Sequence, residues 1–207
     1  MTKKKTDGGI KFDVSIFDGL YQKNTVLVSG LVIAPVVIAT STVKVALALI
    51  AVFSVITFFT IMIASFVPRD IVYAIRIILY TFIASMVYVP VVIFANMLFP
   101  DEVTALGIFI PLLITNSLIV SKTELRFFRK TKGRMVVDVI SYIIGFDIVV
   151  LIFALIRELI STGSISDRIF GIPITFPAFA LPFGGFILLG LFSALFRKIQ
   201  LTIRSNN

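Results

Sequence analysis

Two acidic residues, one within an apolar stretch and one directly after it, are the clearest candidates for chemistry. Asp147 lies near the middle of the run 135–156, with apolar residues on both sides, and Glu158 follows eleven residues later. On a helix this spacing puts both carboxylates on one face, through Leu151 and Ala154. Two carboxylates on one face could form a path for a cation or a proton. The alternative is an aspartate that bonds across helices or lines a water pocket without transport.

Few other residue types suited to chemistry are present. Asn116 lies beside a proline-containing segment, and its amide needs a hydrogen-bond partner. The Arg157–Glu158 pair ends the fifth apolar run and is typical of an interfacial anchor. The chain has no cysteine and no histidine, which excludes a disulfide framework and the usual ligands of zinc, haem or iron–sulfur clusters. With no serine–histidine, metal or phosphate-loop constellation either, a self-contained enzyme of the soluble type is not expected.

The composition identifies the solvent in which these groups must lie. Apolar residues make up 58% of the chain and charged residues 14%, with a mean hydropathy of +1.09. A soluble domain of this size cannot hide so much apolar surface. The net charge of +8 could suggest a nucleic-acid partner, but the basic residues lie in short segments between apolar runs. The sequence therefore predicts a multi-pass protein of the lipid bilayer that binds no nucleic acid.

Six apolar runs predict an all-α fold of about six transmembrane helices. A helix needs about 20 apolar residues to cross the hydrocarbon core. The runs are 26–39, which is short, then 45–67, 77–99, 103–121, 135–156 and 169–196. The glycines and prolines of the last run suggest a re-entrant or kinked start to the final crossing.

The basic residues between the runs predict the orientation. The largest clusters precede the first run, follow the last, and lie between residues 122 and 134. Six crossings put all of them on one side, which the positive-inside rule identifies as cytoplasmic. We therefore expect a cytoplasmic arm (1–24), a membrane domain (25–200) and a cytoplasmic tail (201–207). The expected location is the cytoplasmic (inner) membrane of a bacterium or archaeon.

The membrane domain has a candidate internal repeat. Residues 34–41 resemble residues 110–117, with Pro35 and Pro111 at equivalent positions. Three predicted crossings separate the two segments, so the copies would run in opposite directions, as in a 3+3 inverted repeat (about 25–100 and 103–197). Because proline removes a backbone hydrogen bond, the first and fourth helices are predicted to be broken there.

Several stretches carry a resemblance to a known family. They run in family order along nearly the whole membrane part: 24–28, the Pro35 segment, 75–77, 106–111, Thr115 with Asn116 and Glu124, Asp138 with Gly145, 157–159 before Gly163, and 181–182 before Gly184. On these residues the chain resembles the E-type membrane component of the Rnf electron-transport complex and its relative, the D-type component of the sodium-pumping NADH:quinone reductase (Nqr).

The resemblance implies a partner and a cofactor. Members are six-helix inverted-repeat proteins that pair with a homologous A-type subunit of inverted topology. A two-iron, two-sulfur (2Fe-2S) cluster lies at the shared interface and takes two cysteines from each subunit. Those positions hold Ala34 and Ser117 here, and Val32 replaces a glycine two residues before the first of them. No cofactor or metal is therefore expected to bind this chain.

Two functions follow as hypotheses. The first is a membrane subunit of an Rnf- or Nqr-like ion-translocating electron-transport complex, acting as a transmembrane scaffold beside the A-type subunit. It would be at most a subunit of a translocase, not catalytic alone. The alternative is a small-molecule or ion transport module on the same fold, similar to an S-component, with no electron transfer.

Overall fold

A computed structural model describes residues 32–68, 70–114, 132–165, 168–169 and 175–205 of the chain. These residues are mostly helical, which confirms the all-α membrane fold. The helices are α1 (Ile33–Ala39), α2 (Val43–Ala64), α3 (Tyr73–Leu98), α4 (Pro100–Leu106), α5 (Lys132–Thr162) and α6 (Pro182–Ser205). Within the described part, α2, α3, α5 and α6 are long and apolar enough to cross a membrane.

The second, third and fifth predicted crossings match α2, α3 and α5. α2 begins after Thr42, whose hydroxyl accepts a hydrogen bond from the Val45 N–H as an N-cap. α5 extends beyond the predicted run at both ends. At its amino end it adds residues that include the exposed Arg134, and at its carboxyl end it continues through Arg157, Glu158 and Ser161, which are buried. Pro90 lies inside α3 without ending that helix.

The first and fourth predicted crossings contain short helices. α1 begins after Val32, and Pro35 lies in its first turn, where a missing N–H removes no helical hydrogen bond. α4 ends at Leu106, and the next residue, Gly107, has a φ of 48°, which favours glycine. Two 3-10 turns follow, Gly107–Phe109 and Pro111–Leu113, so the interruption begins at Gly107 and continues through Pro111. Residues 115–131, which would complete the fourth crossing, lie outside the described residues, as does the arm 1–24.

The start of the sixth predicted crossing is wrong. The sequence predicted a span from residue 169, but Arg168–Ile169 is a short strand paired antiparallel with Ser164–Ile165. A 3-10 turn, Pro177–Ala180, precedes α6, which begins only at Pro182. Proline cannot supply the N–H groups that a continuous helix needs here, so apolar composition alone misplaced the boundary. At its other end α6 continues to Ser205, into the predicted tail.

The core lies between α2 and α5, which run antiparallel. Phe53 and Phe146 stack there with ring centroids 3.8 Å apart. α3 packs on another side of α2, and α1 contacts α2, α4 and α6. In lipid such contacts are stabilised by close packing and hydrogen bonds, since apolar surface gains little by leaving lipid for protein. The two short helices α1 and α4 thus meet inside the bundle. The 3+3 repeat itself stays a prediction.

Candidate functional site

Asp147 contacts α2 near the middle of both helices. The Ser54 hydroxyl lies 3.1 Å from each carboxylate oxygen of Asp147 and donates to them. The aspartate is half-buried, at the edge of the lipid-facing stripe that includes Ile144 and Ile148. Its described hydrogen-bond partner is therefore a neutral hydroxyl group.

Glu158 also contacts α2, but at the end of the bundle where α2 begins, eleven residues along α5 from Asp147. The backbone N–H of Val43, the first residue of α2, donates to the Glu158 Oε2 atom at 2.6 Å. An N–H in the first turn of a helix has no partner within the helix, and the helix dipole favours a negative charge at that end. Glu158 is buried at 6% exposure. It therefore caps the start of α2, although it belongs to the neighbouring helix α5.

The two contacts define the register between α2 and α5. Val43 and Ser54 are eleven residues apart on α2, and so are their partners Glu158 and Asp147 on α5. The prediction that the two carboxylates share one face is confirmed, because both face α2. The helices are therefore joined by polar contacts at two levels, one near mid-helix and one at the end.

Arg157 is the largest fully buried side chain among the described residues, at 1% exposure. The prediction that it is an interfacial anchor is wrong. Nε donates to the Phe179 carbonyl at 2.7 Å, and Nη2 donates to the Ala180 and Leu181 carbonyls at 3.0 Å each. Nη1 donates to the Val37 carbonyl and, at 3.0 Å, to the Thr40 hydroxyl. A guanidinium has five N–H donors, and five hydrogen bonds are made.

The acceptors are chiefly carbonyls where helical segments begin or end. Val37 lies in the last turn of α1, whose carbonyls lack partners within the helix, and Phe179 and Ala180 end the 3-10 turn before α6. We call the set formed by Arg157, these carbonyls, the Leu181 carbonyl and the Thr40 hydroxyl the Arg157 cluster. A buried cation at the carbonyl ends of helices is favoured by their dipoles.

Two glycines of α6 let the helix approach the Arg157 cluster. A Cβ atom at Gly185 would lie 2.8 Å from the guanidinium carbon of Arg157. A Cβ atom at Gly184 would lie 2.5 Å from the Ala178 carbonyl oxygen. Gly184 is required by close packing because its neighbour is backbone, whereas a side chain at Gly185 would have to displace the Arg157 guanidinium.

Ala34 and Ser117 occupy the positions where the resemblance implies cysteine ligands for a 2Fe-2S cluster, and neither side chain fits that role. Ala34 lies on α1 with an exposed methyl side chain, which has no donor atom. Ser117 lies outside the described residues, as does Asn116, and the chain has no cysteine to supply a thiolate. The described residues also contain no group of three Asp or Glu side chains placed to hold a metal ion.

Val32, immediately before α1, has φ 62° and ψ 27°. This left-handed conformation is common for glycine and costly for a β-branched side chain. The resemblance implies glycine here, and the backbone retains the conformation that glycine favours.

An apolar groove lies between parts of α2 and α3. It has a volume of about 450 Å³ and is lined by Val55, Phe59, Ile63, Ile83, Met86, Val87, Pro90 and Val91. Because its lining is apolar, the groove offers no ligand to an ion.

The sequence of this chain is also similar to those of known membrane proteins. The family model described as "Rnf-Nqr subunit, membrane protein" matches residues 14–193, which is most of the chain. The chain belongs to the Rnf-Nqr family. It is 27% identical to the E-type component of the ion-translocating oxidoreductase complex of Shewanella oneidensis, over 91% of this chain and 88% of the relative. It is 28% identical to the component of the same name from Shewanella piezotolerans, over 86% of this chain and 84% of the relative. The Haemophilus ducreyi protein of that name is also 28% identical, over 73% and 67%.

Sequence reasoning placed Asp147 and Glu158 on one face but missed the Arg157 cluster. A basic residue at a helix end usually reaches the interface, so Arg157 alone carried no signal of burial. The signal that could have found it is the Gly184–Gly185 pair after a proline-rich stretch, since adjacent glycines at a helix start suggest close approach of another group.

Proposed function

We propose that this chain is a membrane subunit of an ion-translocating oxidoreductase complex of the Rnf or Nqr type, where it acts as a transmembrane scaffold. The observation that carries the proposal is the family match over residues 14–193, with relatives of that name aligned over most of their length. The bundle supports it, because polar contacts join α2 to α5 at two levels beside a buried apolar core.

The proposed partner is a homologous A-type subunit of inverted topology, together with other subunits of the complex. α3 and α6 support this, since they present large exposed apolar side chains that lipid or neighbouring helices must cover. Examples are Phe82, Met86 and Ile93 on α3, and Phe186 and Leu191 on α6. These exposed faces are compatible with lipid on one side of the chain and a partner on the other.

The composition of the native complex tests the proposal. We expect a tagged chain, purified in mild detergent from its own membranes, to bring a homologous membrane subunit and redox subunits in equal amounts. Recovery with ATPase subunits would instead favour the S-component-like transport module. The relatives' names do not favour that alternative.

We further propose that this chain contributes no ligand to a 2Fe-2S cluster. Iron in such clusters is held by soft thiolates, and neither an alanine methyl nor a serine hydroxyl replaces them. Iron and acid-labile sulfide should be absent from the pair that this chain forms with the A-type subunit. A signal of two irons per pair that is lost on Ser117→Ala would contradict this.

Asp147 is the proposed ion-path residue, with Glu158 and Asn116 as further candidates. Two features support Asp147: its half-buried carboxylate near mid-helix, and the hydroxyl group that solvates it. Glu158 is more buried, and its Oε2 atom accepts from the start of α2, so its geometry favours a structural role.

The proposed orientation places both termini and the basic 122–134 segment in the cytoplasm of a bacterial or archaeal cell. The Arg157 cluster would then lie at the outer end of the bundle. Because the chain lacks cysteine, single cysteines at residues 130 and 101 can be labelled with an impermeant reagent. Labelling of residue 101 alone from outside intact cells is expected, and the reverse pattern would refute the orientation.

A further inference from the structure

Arg157 and Glu158 are adjacent, yet each contacts a different kind of helix end. Arg157 donates to the carbonyl end of α1, and Glu158 accepts from the N–H end of α2. The turn Thr40–Thr42, between these two helix ends, is thus held by a cation on one side and an anion on the other. Each charge is opposite in sign to the partial charge of the helix end that it meets, so both contacts are favourable.

The same arginine also holds the segment that leads directly into α6. Of its five hydrogen bonds, three go to residues 179–181, and two go to Val37 and Thr40. Besides its direct packing on α6, α1 is therefore linked to the segment before α6 through a shared side chain of α5, which occupies the space left by the missing side chain of Gly185.

We infer that Arg157 and Glu158 form a positioning pair that holds the short helix α1 between α2 and the start of α6. The inference goes beyond the proposed function and does not require it. α1 has only seven residues and Val32 precedes it in a strained conformation. A helix so short is marginal by itself, so its position must come from outside contacts.

Hydrogen–deuterium exchange of the purified chain in nanodiscs tests the inference. Arg157→Lys keeps the charge but leaves at most three donors for five acceptors. Loss of even one buried hydrogen bond to a charged group should raise exchange at least about tenfold in residues 33–46 and 177–186. Exchange in the middle of α3 should stay unchanged. Arg76→Lys is the matched control, because Arg76 also donates to a carbonyl, that of Ile71, outside the cluster.

Glu158 variants test the other half of the pair. Glu158→Gln keeps an oxygen that can accept from the Val43 N–H, so residues 43–46 should stay largely protected. Glu158→Ala removes the acceptor and should expose them. If Arg157→Lys does not fold, Thr40→Val replaces it as a milder change. It removes the hydroxyl that accepts from Arg157 and that also donates to the Val36 carbonyl at 2.7 Å. Raised exchange is then expected at residues 33–42 and, because the Val36 bond does not reach them, also at residues 177–181 if Arg157 links the two segments.

The inference would be overturned if exchange in Arg157→Lys stayed unchanged at residues 33–46 and 177–186. If Thr40→Val is used, unchanged exchange at residues 33–42 or at residues 177–181 would overturn it. So would an equal rise across α3, because that shows general loss of stability instead of local release. No electron-transfer measurement enters this test. A failure here therefore leaves the proposed function standing, and failure of the proposed function leaves this inference standing.

Discussion

Gly185→Ala is the substitution that should most sharply test the packing around Arg157. The added Cβ would lie 2.8 Å from the guanidinium carbon and 2.9 Å from both Nη atoms. Contacts this short force the guanidinium to move, and four of its five hydrogen bonds come from those two nitrogens. The backbone of α6 is a poor alternative site for the shift, because Gly184 already packs closely on the preceding turn.

The expected cost follows from the bonds that the shift would weaken. A hydrogen bond to a charged group contributes roughly 1.5–3 kcal/mol, so losing one and weakening a second should lower the free energy of unfolding by about 2–4 kcal/mol. Alanine in place of glycine within a helix offsets this by at most about 1 kcal/mol. The net destabilisation should therefore be about 1–3 kcal/mol.

Gly190→Ala is the matched control on the same helix. A Cβ atom there meets nothing within 4 Å, so only the gain in helix propensity, up to about 1 kcal/mol, is expected. Unfolding in mixed micelles of increasing dodecyl sulfate, followed by circular dichroism at 222 nm, compares the two variants. Equal midpoints for Gly185→Ala and Gly190→Ala would refute the packing described for Arg157.

Three further predictions concern separate features, the first two tested by the same unfolding assay and the third by transport. Val32→Gly should stabilise the chain by about 1 kcal/mol, because glycine relieves the left-handed strain; destabilisation would show that the valine packing outweighs it. The buried hydroxyls of Thr57 and Thr60 have no hydrogen-bond partner among the described residues. Valine at either position should therefore stabilise by about 1 kcal/mol, whereas a loss would reveal a partner. Asp147→Asn keeps an oxygen acceptor for Ser54 but removes the charge, so coupled ion transport should stop while the complex still assembles; unchanged transport would favour a purely structural aspartate.

The apolar runs predicted the long helices well, because hydropathy reports the length of chain that lipid can cover. The bounds of α2 and α3 lie within a few residues of the predicted runs. Hydropathy failed before Pro182, where the described residues Arg168–Ile169 form a strand and Pro177–Ala180 form a 3-10 turn instead of a helix. Their carbonyls are instead satisfied in part by Arg157, a long-range contact that no local pattern contains.

The site was predictable only in part, because its contacts also join residues that are far apart in the sequence. Helical spacing correctly put Asp147 and Glu158 on one face, because that depends on one helix alone. Which atoms they meet depends on the register between α2 and α5, and Ser54 and Val43 carry no mark of it in the sequence. Arg157 was misplaced because its burial depends on three segments that converge only in the folded chain.

Ion uptake driven by electron transfer tests the central claim most directly. Membrane vesicles would be prepared from cells with the gene for this chain present, deleted and restored, and supplied with NADH or reduced ferredoxin. A subunit of an ion-translocating oxidoreductase complex predicts that redox-driven, ionophore-sensitive uptake of sodium ions or protons is lost on deletion and regained on restoration. Uptake that is unchanged in vesicles lacking the chain would contradict the account.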